Sequence, residues 1–303
     1  MVSDQAESTY CGYAAIVGRP NAGKSTLMNV MLGVKVSAIS PRPQTTRQGI
    51  HGIYTEENRQ VVFVDTPGWH RPQDGLGVYM QKAIQGALDG VDLVLWTVDL
   101  HRGPNDEDRA VAQRLGEVPA DTPVWIVGAK SDLCEEHDSM LNRYHELLPG
   151  AQNRYPVSAL RNPKGVYLLR RRVLQMMPEG PFMYPDEYRS DQSREMWAAE
   201  LVREQLMTAM HDELPYAAAV RVTQWTERPD GLQSIEAQVI VERESHKAMV
   251  IGKGGRMLKK IGTLARQELE VFLGQRVYLH VQVSVIPDWR RDPRALADLG
   301  YDA

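Results

Sequence analysis

The chain has 303 residues, a formal net charge of −4, 24% charged and 43% apolar residues. At about 100–200 residues per domain that length suits two domains. No apolar run reaches the roughly 18 residues of a membrane span, and Cys11 and Cys134 lack metal-site or C-x-x-C spacing, which points to a reducing compartment without structural zinc. Residues 1–7 are polar and acidic, unlike a secretory signal.

In chain order, residues 13–17 read as a buried strand and 25–32 as a helix. Between them, Gly18-Arg19-Pro20-Asn21-Ala22-Gly23-Lys24-Ser25 is a complete G-x-x-x-x-G-K-[ST] loop, followed by Thr26. The glycines let the backbone curl with its N–H groups inward, Lys24 brings a point charge to the β/γ-phosphates, and the Ser25 hydroxyl suits Mg²⁺. Residues 18–26 are the expected phosphate-binding set of a nucleoside triphosphate, with Lys24 also catalytic. A polar stretch, Gln44-Thr45-Thr46-Arg47, comes next, then an apolar run at 61–64 that ends in Asp65-Thr66-Pro67-Gly68. Asp65 is expected to hold Mg²⁺ through water and the Gly68 N–H to bond the γ-phosphate. Thr46, in preference to Thr45, completes the Mg²⁺ shell and takes part in catalysis. Residues 44–47 and 65–68 are then two switch segments, ordered by the γ-phosphate and released by hydrolysis.

Further apolar runs at 91–98 and 124–127 lack strict alternation. That predicts strands buried on both faces, a mostly parallel sheet with helices on each side, and the phosphate loop at its carboxyl edge. The 124–127 run leads into Gly128-Ala129-Lys130-Ser131-Asp132. The Asp132 carboxylate suits guanine, accepting from N1–H and the 2-amino group, and adenine has neither donor there. The Lys130 stem would lie over the ring, and the backbone of Ser158 and Ala159 would close the pocket. A phosphate-loop ATPase is the weaker reading for that reason.

From Met177 the texture changes to Pro178, Gly180, Pro181 and Pro185 among polar residues, a linker over 178–193. Ser193 suits a helix N-cap, and Ala199, Val202, Leu206 and Met210 make an apolar stripe. Strand patterns occupy 216–225, 235–241 and 277–285. Before the last of these, Met257, Ile261, Leu264, Ala265, Leu269 and Phe272 form a helix's apolar face. Residues 243–294 hold eleven Lys/Arg against five Asp/Glu, a net of +6, which leaves −10 for the rest. Such segregation suits a domain that meets phosphate backbone. Within it, Gly252-Lys253-Gly254-Gly255 is a G-x-x-G turn in a helix–strand–strand–helix–turn–helix–strand order, the type II KH arrangement, whose turn grips single-stranded nucleotides. Gly252, Lys253, Gly254, Gly255, Arg256, Lys259 and Lys260 are the expected RNA contacts.

The chain resembles the Era-type GTPases, in the group that includes TrmE-like proteins, over essentially its full length. The resemblance rests on the nucleotide motifs, on Thr45-Thr46-Arg47, on Trp69-His70 directly after Asp-Thr-Pro-Gly, and on the C-terminal third, including Glu242-Arg243-Glu244-Ser245-His246-Lys247 and Lys259-Lys260-Ile261. It implies an α/β P-loop GTPase domain with a mostly parallel sheet over 10–177, then the linker, then an α+β type II KH domain over 194–303. It also implies hydrolysis of GTP to GDP and phosphate with Mg²⁺, binding to 16S ribosomal RNA near its 3′ end, and a part in assembly of the small ribosomal subunit. A cytoplasmic monomer is expected. The family also allows peripheral association with the inner face of the membrane, for which the sequence carries no amphipathic or lipidation signal. Trp69 stands where many GTPases have a water-orienting glutamine, so the resemblance turns attention to Asn21, which in TrmE-like relatives coordinates K⁺ beside the phosphates. The family has asparagine where this chain has Ala129; that asparagine bonds guanine N7 and ties its loop to the phosphate loop. Trp69 and Ala129 together motivate an alternative: a nucleotide-dependent RNA-binding module with negligible hydrolysis.

Overall fold

The computed structural model describes residues 8–210 and 212–301. Residues 1–7, read above as polar and acidic, lie outside the described residues, as do 302–303 at the end of the expected KH span. The chain forms two compact units. Of the described residues, one comprises 8–37, 46–71 and 80–191; the other comprises 38–45, 72–79, 192–210 and 212–301.

The first unit is built on β1 (Tyr10–Val17), α1 (Lys24–Leu32), β2 (Ile50–Glu56) and β3 (Arg59–Asp65), followed in the chain by α2 (Gly75–Gly86), whose residues up to 79 belong to the other unit, and by β4 (Leu93–Asp99), α3 (Asp106–Leu115), β5 (Val124–Ala129), α4 (His137–His145), β6 (Asn153–Pro156) and α5 (Lys164–Met176). The strands lie in the order β2-β3-β1-β4-β5-β6. All neighbours run parallel except β2 against β3. Alternate residues of β1 serve opposite faces. Ala14 and Ile16 join Phe63, Leu95 and Val127 against Leu27 and Met31 of α1 and Leu169 and Val173 of α5. Ala15 and Val17 join Trp96, Val98 and Ile126 against Val111 and Leu115 of α3 and Leu141 and Tyr144 of α4. Two apolar faces explain why these strands read as near-continuous apolar runs. β1 lies between β3 and β4, so the chain leaving its carboxyl end enters the crevice where strand order reverses.

The antiparallel β2 was not anticipated, because Ile50-His51-Gly52-Ile53-Tyr54-Thr55-Glu56 mixes polar and apolar residues. The segment after α5 is more engaged than its composition suggests. Cys11 N–H donates to the Pro178 carbonyl (2.9 Å), Gly180 N–H to Thr9 (2.9 Å) and Ile53 N–H to Arg189 (2.9 Å). Gln60 Nε2 donates to the Tyr184 carbonyl (2.8 Å) and its Oε1 accepts from Met183 N–H (2.9 Å). Proline-rich chain thus satisfies polar groups along the strands.

The second unit holds α6 (Arg194–Ala209), β7 (Ala219–Glu227), β8 (Gln233–Val241), α7 (Glu244–Ile251), α8 (Arg256–Leu273), β9 (Val277–Val285) and α9 (Pro293–Asp298). The sheet order is β7-β8-β9, antiparallel then parallel. Ser193 caps α6 by accepting from Met196 N–H at 3.1 Å. Ala199, Val202 and Leu206 pack with Ala237, Val239 and Val241 of β8 and Ile261 and Ala265 of α8. Met210 is buried as expected but ends the helix rather than extending it. Leu264 and Phe272, expected on the apolar face of α8, are 37% and 47% exposed.

The second unit also includes residues 38–45 and 72–79, far from it in sequence. Arg203 of α6 is buried and donates to the Thr45 carbonyl and to the Glu200 carboxylate. Arg42 donates to the Met210 carbonyl at 2.8 Å. Arg290 pairs with Asp74 (3.0 Å) and with Glu242 (2.9 Å), and its carbonyl accepts from Leu76 N–H (3.1 Å).

Candidate nucleotide and RNA sites

The loop between β1 and α1 curls as its sequence requires. Gly23 takes φ +109 at the start of α1, and Asn21 is exposed with φ +59. Lys24 is buried beneath the loop, its ammonium donating to the carbonyls of Gly18 (3.2 Å) and Arg19 (3.0 Å). Burial lowers its pKa to about 8, and the nearby Asp65 carboxylate limits that fall. Ala22 is fully buried, while Pro20 and Thr26 are half-buried.

Asp65 ends β3 inside a ring of hydroxyls. Its Oδ2 accepts from Ser25 Oγ (2.6 Å), Ser37 Oγ (2.8 Å) and Thr46 Oγ1 (3.3 Å), and the Ser25 and Thr46 hydroxyls are 3.0 Å apart. Burial raises the carboxyl's pKa, opposed by Lys24 and these hydroxyls. Its Oδ1 is buried with no hydrogen-bond partner among the described residues. This small set of hard oxygens fits Mg²⁺, which takes one or two protein ligands and fills its octahedron with phosphate oxygens and water. Among the described residues no group of three His, Cys, Asp or Glu side chains could form an all-protein metal cage. Of the two candidate threonines, Thr46 is the one in this cluster; the Thr45 hydroxyl instead meets Ser40 Oγ at 2.7 Å. Gln44 is half-buried with φ +59, and Arg47 is buried.

Thr66 donates to the Ile16 carbonyl through N–H (3.3 Å) and Oγ1 (2.8 Å). Pro67 is buried. Gly68 presses on the phosphate loop so closely that a Cβ there would lie 2.7 Å from Pro20 Cα. Trp69 N–H donates to the Gly18 carbonyl at 3.2 Å. The Trp69 ring packs against the core face formed by α3 and α4, under Arg114. His70 Nδ1 lies 3.0 Å from the Gly68 carbonyl.

At the end of β5, Ala129 is buried and faces Gly23, 3.4 Å from where a Cβ on that glycine would sit. Lys130 adopts φ +58, and its ammonium donates to the Asn21 carbonyl (2.9 Å) and Asp99 Oδ2 (2.7 Å). Asp132 is exposed and accepts from Ser158 Oγ at 2.6 Å. Ser158 is buried and Ala159 half-buried beside it. The structure therefore gathers residues 18–26, 46, 65–68, 130–132 and 158–159 at the carboxyl edge of one sheet, and puts 44 and 45 with the other unit.

Sequence reading missed several neighbours of this cluster. Asn29 is buried in α1; its Oδ1 accepts from Val36 N–H (2.9 Å) and Ser37 N–H (3.0 Å), which fixes Ser37 for Asp65. A lone polar residue in Leu27-Met28-Asn29-Val30-Met31-Leu32 was the available signal. Asp99 closes β4 as Asp65 closes β3, a parallel visible in the sequence but not used.

In the second unit, Gly252, Gly254 and Gly255 have φ of +69, +61 and +73 between α7 and α8. A Cβ on Gly252 would meet Met257 Cβ at 2.7 Å. Lys253, Arg256, Lys259 and Lys260 are exposed along the turn and the start of α8. Beside them is a groove of about 340 Å³ lined by Gly255, Leu258, Lys259, Gly262, Leu279 and Val281. Its lining, which also includes Thr263 and Arg266, sets cations beside the apolar Leu258, Leu279 and Val281, and of these residues the sequence reading named only Gly255 and Lys259 as RNA contacts.

Residues 13–130 match the family described as 50S ribosome-binding GTPase, and residues 213–290 match the KH domain. The chain is 52% identical to the GTPase Era of Deinococcus radiodurans over 303 aligned residues, 98% of this chain and 97% of the relative. The chain belongs to the Era family of GTPases. Era of Deinococcus deserti is 50% identical, over all of this chain and 98% of that relative. Two solved Era structures superpose with a TM-score of 0.92 at 36% identity, each covering 97% of this chain and 100% of its own. One is Era with MgGDPNP and nucleotides 1506–1542 of 16S ribosomal RNA; the other is a point variant of Aquifex aeolicus Era bound to GDP.AlF4⁻. Among the described residues no helix is long and apolar enough to cross a membrane.

Proposed function

We propose that this Era-family GTPase is a GTP-hydrolysing switch that binds 16S ribosomal RNA near its 3′ end and assists assembly of the small subunit, acting as a cytoplasmic monomer. The observation that carries this reading is full-length likeness to Era solved with MgGDPNP and a 16S fragment.

In this reading the phosphate loop and Lys24 hold the β/γ-phosphates. Mg²⁺ would be held by the hydroxyls of Ser25 and Thr46 and, through water, by Asp65, and would supply charge neutralisation between the phosphates. Asp132 reads guanine, and Ser158 orients its carboxylate. Trp69 has no side-chain amide to orient water, so we assign charge stabilisation during hydrolysis to Lys24, with Asn21 as the residue that would hold a K⁺ ion adding to it. Gly252, Lys253, Gly254, Gly255 and Arg256 would clamp ribose-phosphate, with Lys259 and Lys260 extending the cationic rim and the groove beside them receiving bases.

The test is filter binding of an RNA with the 16S 3′-end sequence at fixed moderate salt, with a GTP titration on the same preparation. Replacing Lys253→Asp and Gly254→Asp together adds two negative charges at the clamp. A Cβ at 254 meets no atom within 4 Å, and aspartate tolerates the left-handed conformation there. RNA binding should collapse while GTP affinity is unchanged. Retained RNA affinity in the folded double variant would remove the RNA half of the proposal.

A further inference from the structure

Asp99 is 1% exposed at the carboxyl end of β4, the strand between the one that feeds the phosphate loop and the one that feeds the base loop. Its Oδ1 accepts from the N–H groups of His101 (3.0 Å) and Arg102 (3.2 Å), which fixes the carboxylate plane. Its Oδ2 accepts from Lys130 Nζ at 2.7 Å and lies 3.6 Å from Arg19 NH2. Lys130 also donates to the Asn21 carbonyl at 2.9 Å. Arg19 is 5% exposed and turns its Nε to Asp108 Oδ2 at 3.1 Å. Asp108 is anchored by the capping box of α3, where it accepts from Asn105 N–H (3.1 Å) and Asn105 accepts in return (3.0 Å). Burial favours the neutral form of Asp99, but Lys130 and Arg19 outweigh it and hold its carboxyl below the usual range.

We propose that Asp99 is a positioning residue for guanine-nucleotide binding: through Arg19 and Lys130 it ties the phosphate loop to the base loop. This rests on the reading of residues 18–26 and 130–132 as the nucleotide site. The methyl group of Ala129 faces Gly23 and offers the phosphate loop no polar atom. The cross-loop hold at this edge of the pocket is therefore made by charge, one residue along at Lys130 and one strand across at Asp99. Lys130 needs such a partner. Its backbone is left-handed, and its ammonium sits at the end of a flexible stem that must lie flat to cover a base. With the ammonium fixed at both Asp99 and Asn21, the stem has one path.

The test is a double-variant cycle read as GDP dissociation rate from the full chain. Asp99→Asn keeps an oxygen for the His101 and Arg102 N–H groups but turns an amide toward Lys130 and Arg19, opposing donor to donor. Dissociation should quicken about tenfold or more, the scale of a lost charge-assisted hydrogen bond. Ala129→Asn alone places an amide against the phosphate loop and should slow dissociation about tenfold. In that background Asp99→Asn should cost about threefold or less, because a second tether now shares the hold. A residue that only supported the fold would impose the same factor in both backgrounds, so equal factors overturn the proposal, as does an unchanged rate in Asp99→Asn. If Asp99→Asn does not fold, Arg19→Lys, which keeps the charge but replaces the guanidinium's spaced donors with a single ammonium, goes through the same cycle, and there too equal factors or an unchanged rate overturn the proposal. Absence of GDP binding in the unmodified chain would overturn the site reading and the tether together, whereas equal factors would overturn the tether alone.

Discussion

Asp132 and Asn21 carry the sharpest consequences of single side chains. Asp132 is exposed, and Ser158 Oγ holds one of its oxygens at 2.6 Å. In the proposed pocket both oxygens face donors of the base. Asp132→Asn exchanges an acceptor for a donor toward N1 and should move preference from guanine to xanthine nucleotides, read by competition of GTP and XTP for the same site. Full retention of GTP selectivity would show that the base is read elsewhere. Asn21 sits exposed at the crest of the phosphate loop in a left-handed conformation that asparagine tolerates well. If it holds K⁺, hydrolysis should run faster in KCl than in NaCl at equal ionic strength, and Asn21→Ala should erase the difference. Equal rates in the two salts with the unmodified chain would leave Asn21 only its turn geometry.

Among the elements, α6 has the least expected chemistry, since a helix buried at Trp197, Leu201, Val202 and Leu206 also buries an arginine. Burial works against the charge of Arg203, but the Glu200 carboxylate more than offsets it, so the guanidinium remains charged. It binds the Thr45 carbonyl at the end of the 38–45 segment. Arg203→Met would strand both Glu200 and that carbonyl. Removing one partner of a buried pair costs roughly 3–5 kcal/mol, so the variant should unfold at clearly lower urea and expose residues 38–45 to limited proteolysis. An unchanged midpoint would mean that water satisfies Glu200 and Thr45 without the arginine. The turn between α7 and α8 shows the opposite arrangement: three residues with positive φ are all glycine, and the cations around them stand exposed rather than in the core.

Over the whole molecule, the chain enters the second unit three times: at 38–45, at 72–79 and from 192 onward. The first two insertions flank, in sequence, the hydroxyl cluster at Thr46 and Asp65 and the segment through Trp69 and His70. Arg203, Arg42 and Arg290 hold these two segments within the second unit. Residues 243–294 carry excess positive charge against an acidic remainder, a segregation that suits a segment meeting phosphate backbone.

The phosphate loop, the mostly parallel sheet and the KH element order were legible in the sequence because each is local. Glycines at fixed offsets permit a turn, and a strand buried on both faces leaves an unbroken apolar run. The antiparallel β2 was hidden because its residues are half polar, and its partner β3 is what defines it. That Thr46 rather than Thr45 meets Ser25 and Asp65, 21 and 19 residues away, is visible only in space. Asp99, Asp108 and Ser37 became part of the site only through folding. Their partners come from other strands and loops, and nothing in a lone aspartate or serine reveals whether water or a buried arginine will meet it. Motif spacing sets backbone shape over a few residues, so the phosphate loop and the G-x-x-G turn could be read from residue order alone. Tertiary structure alone decided which charges hold the motifs in register, since those contacts form between segments that the chain does not join directly.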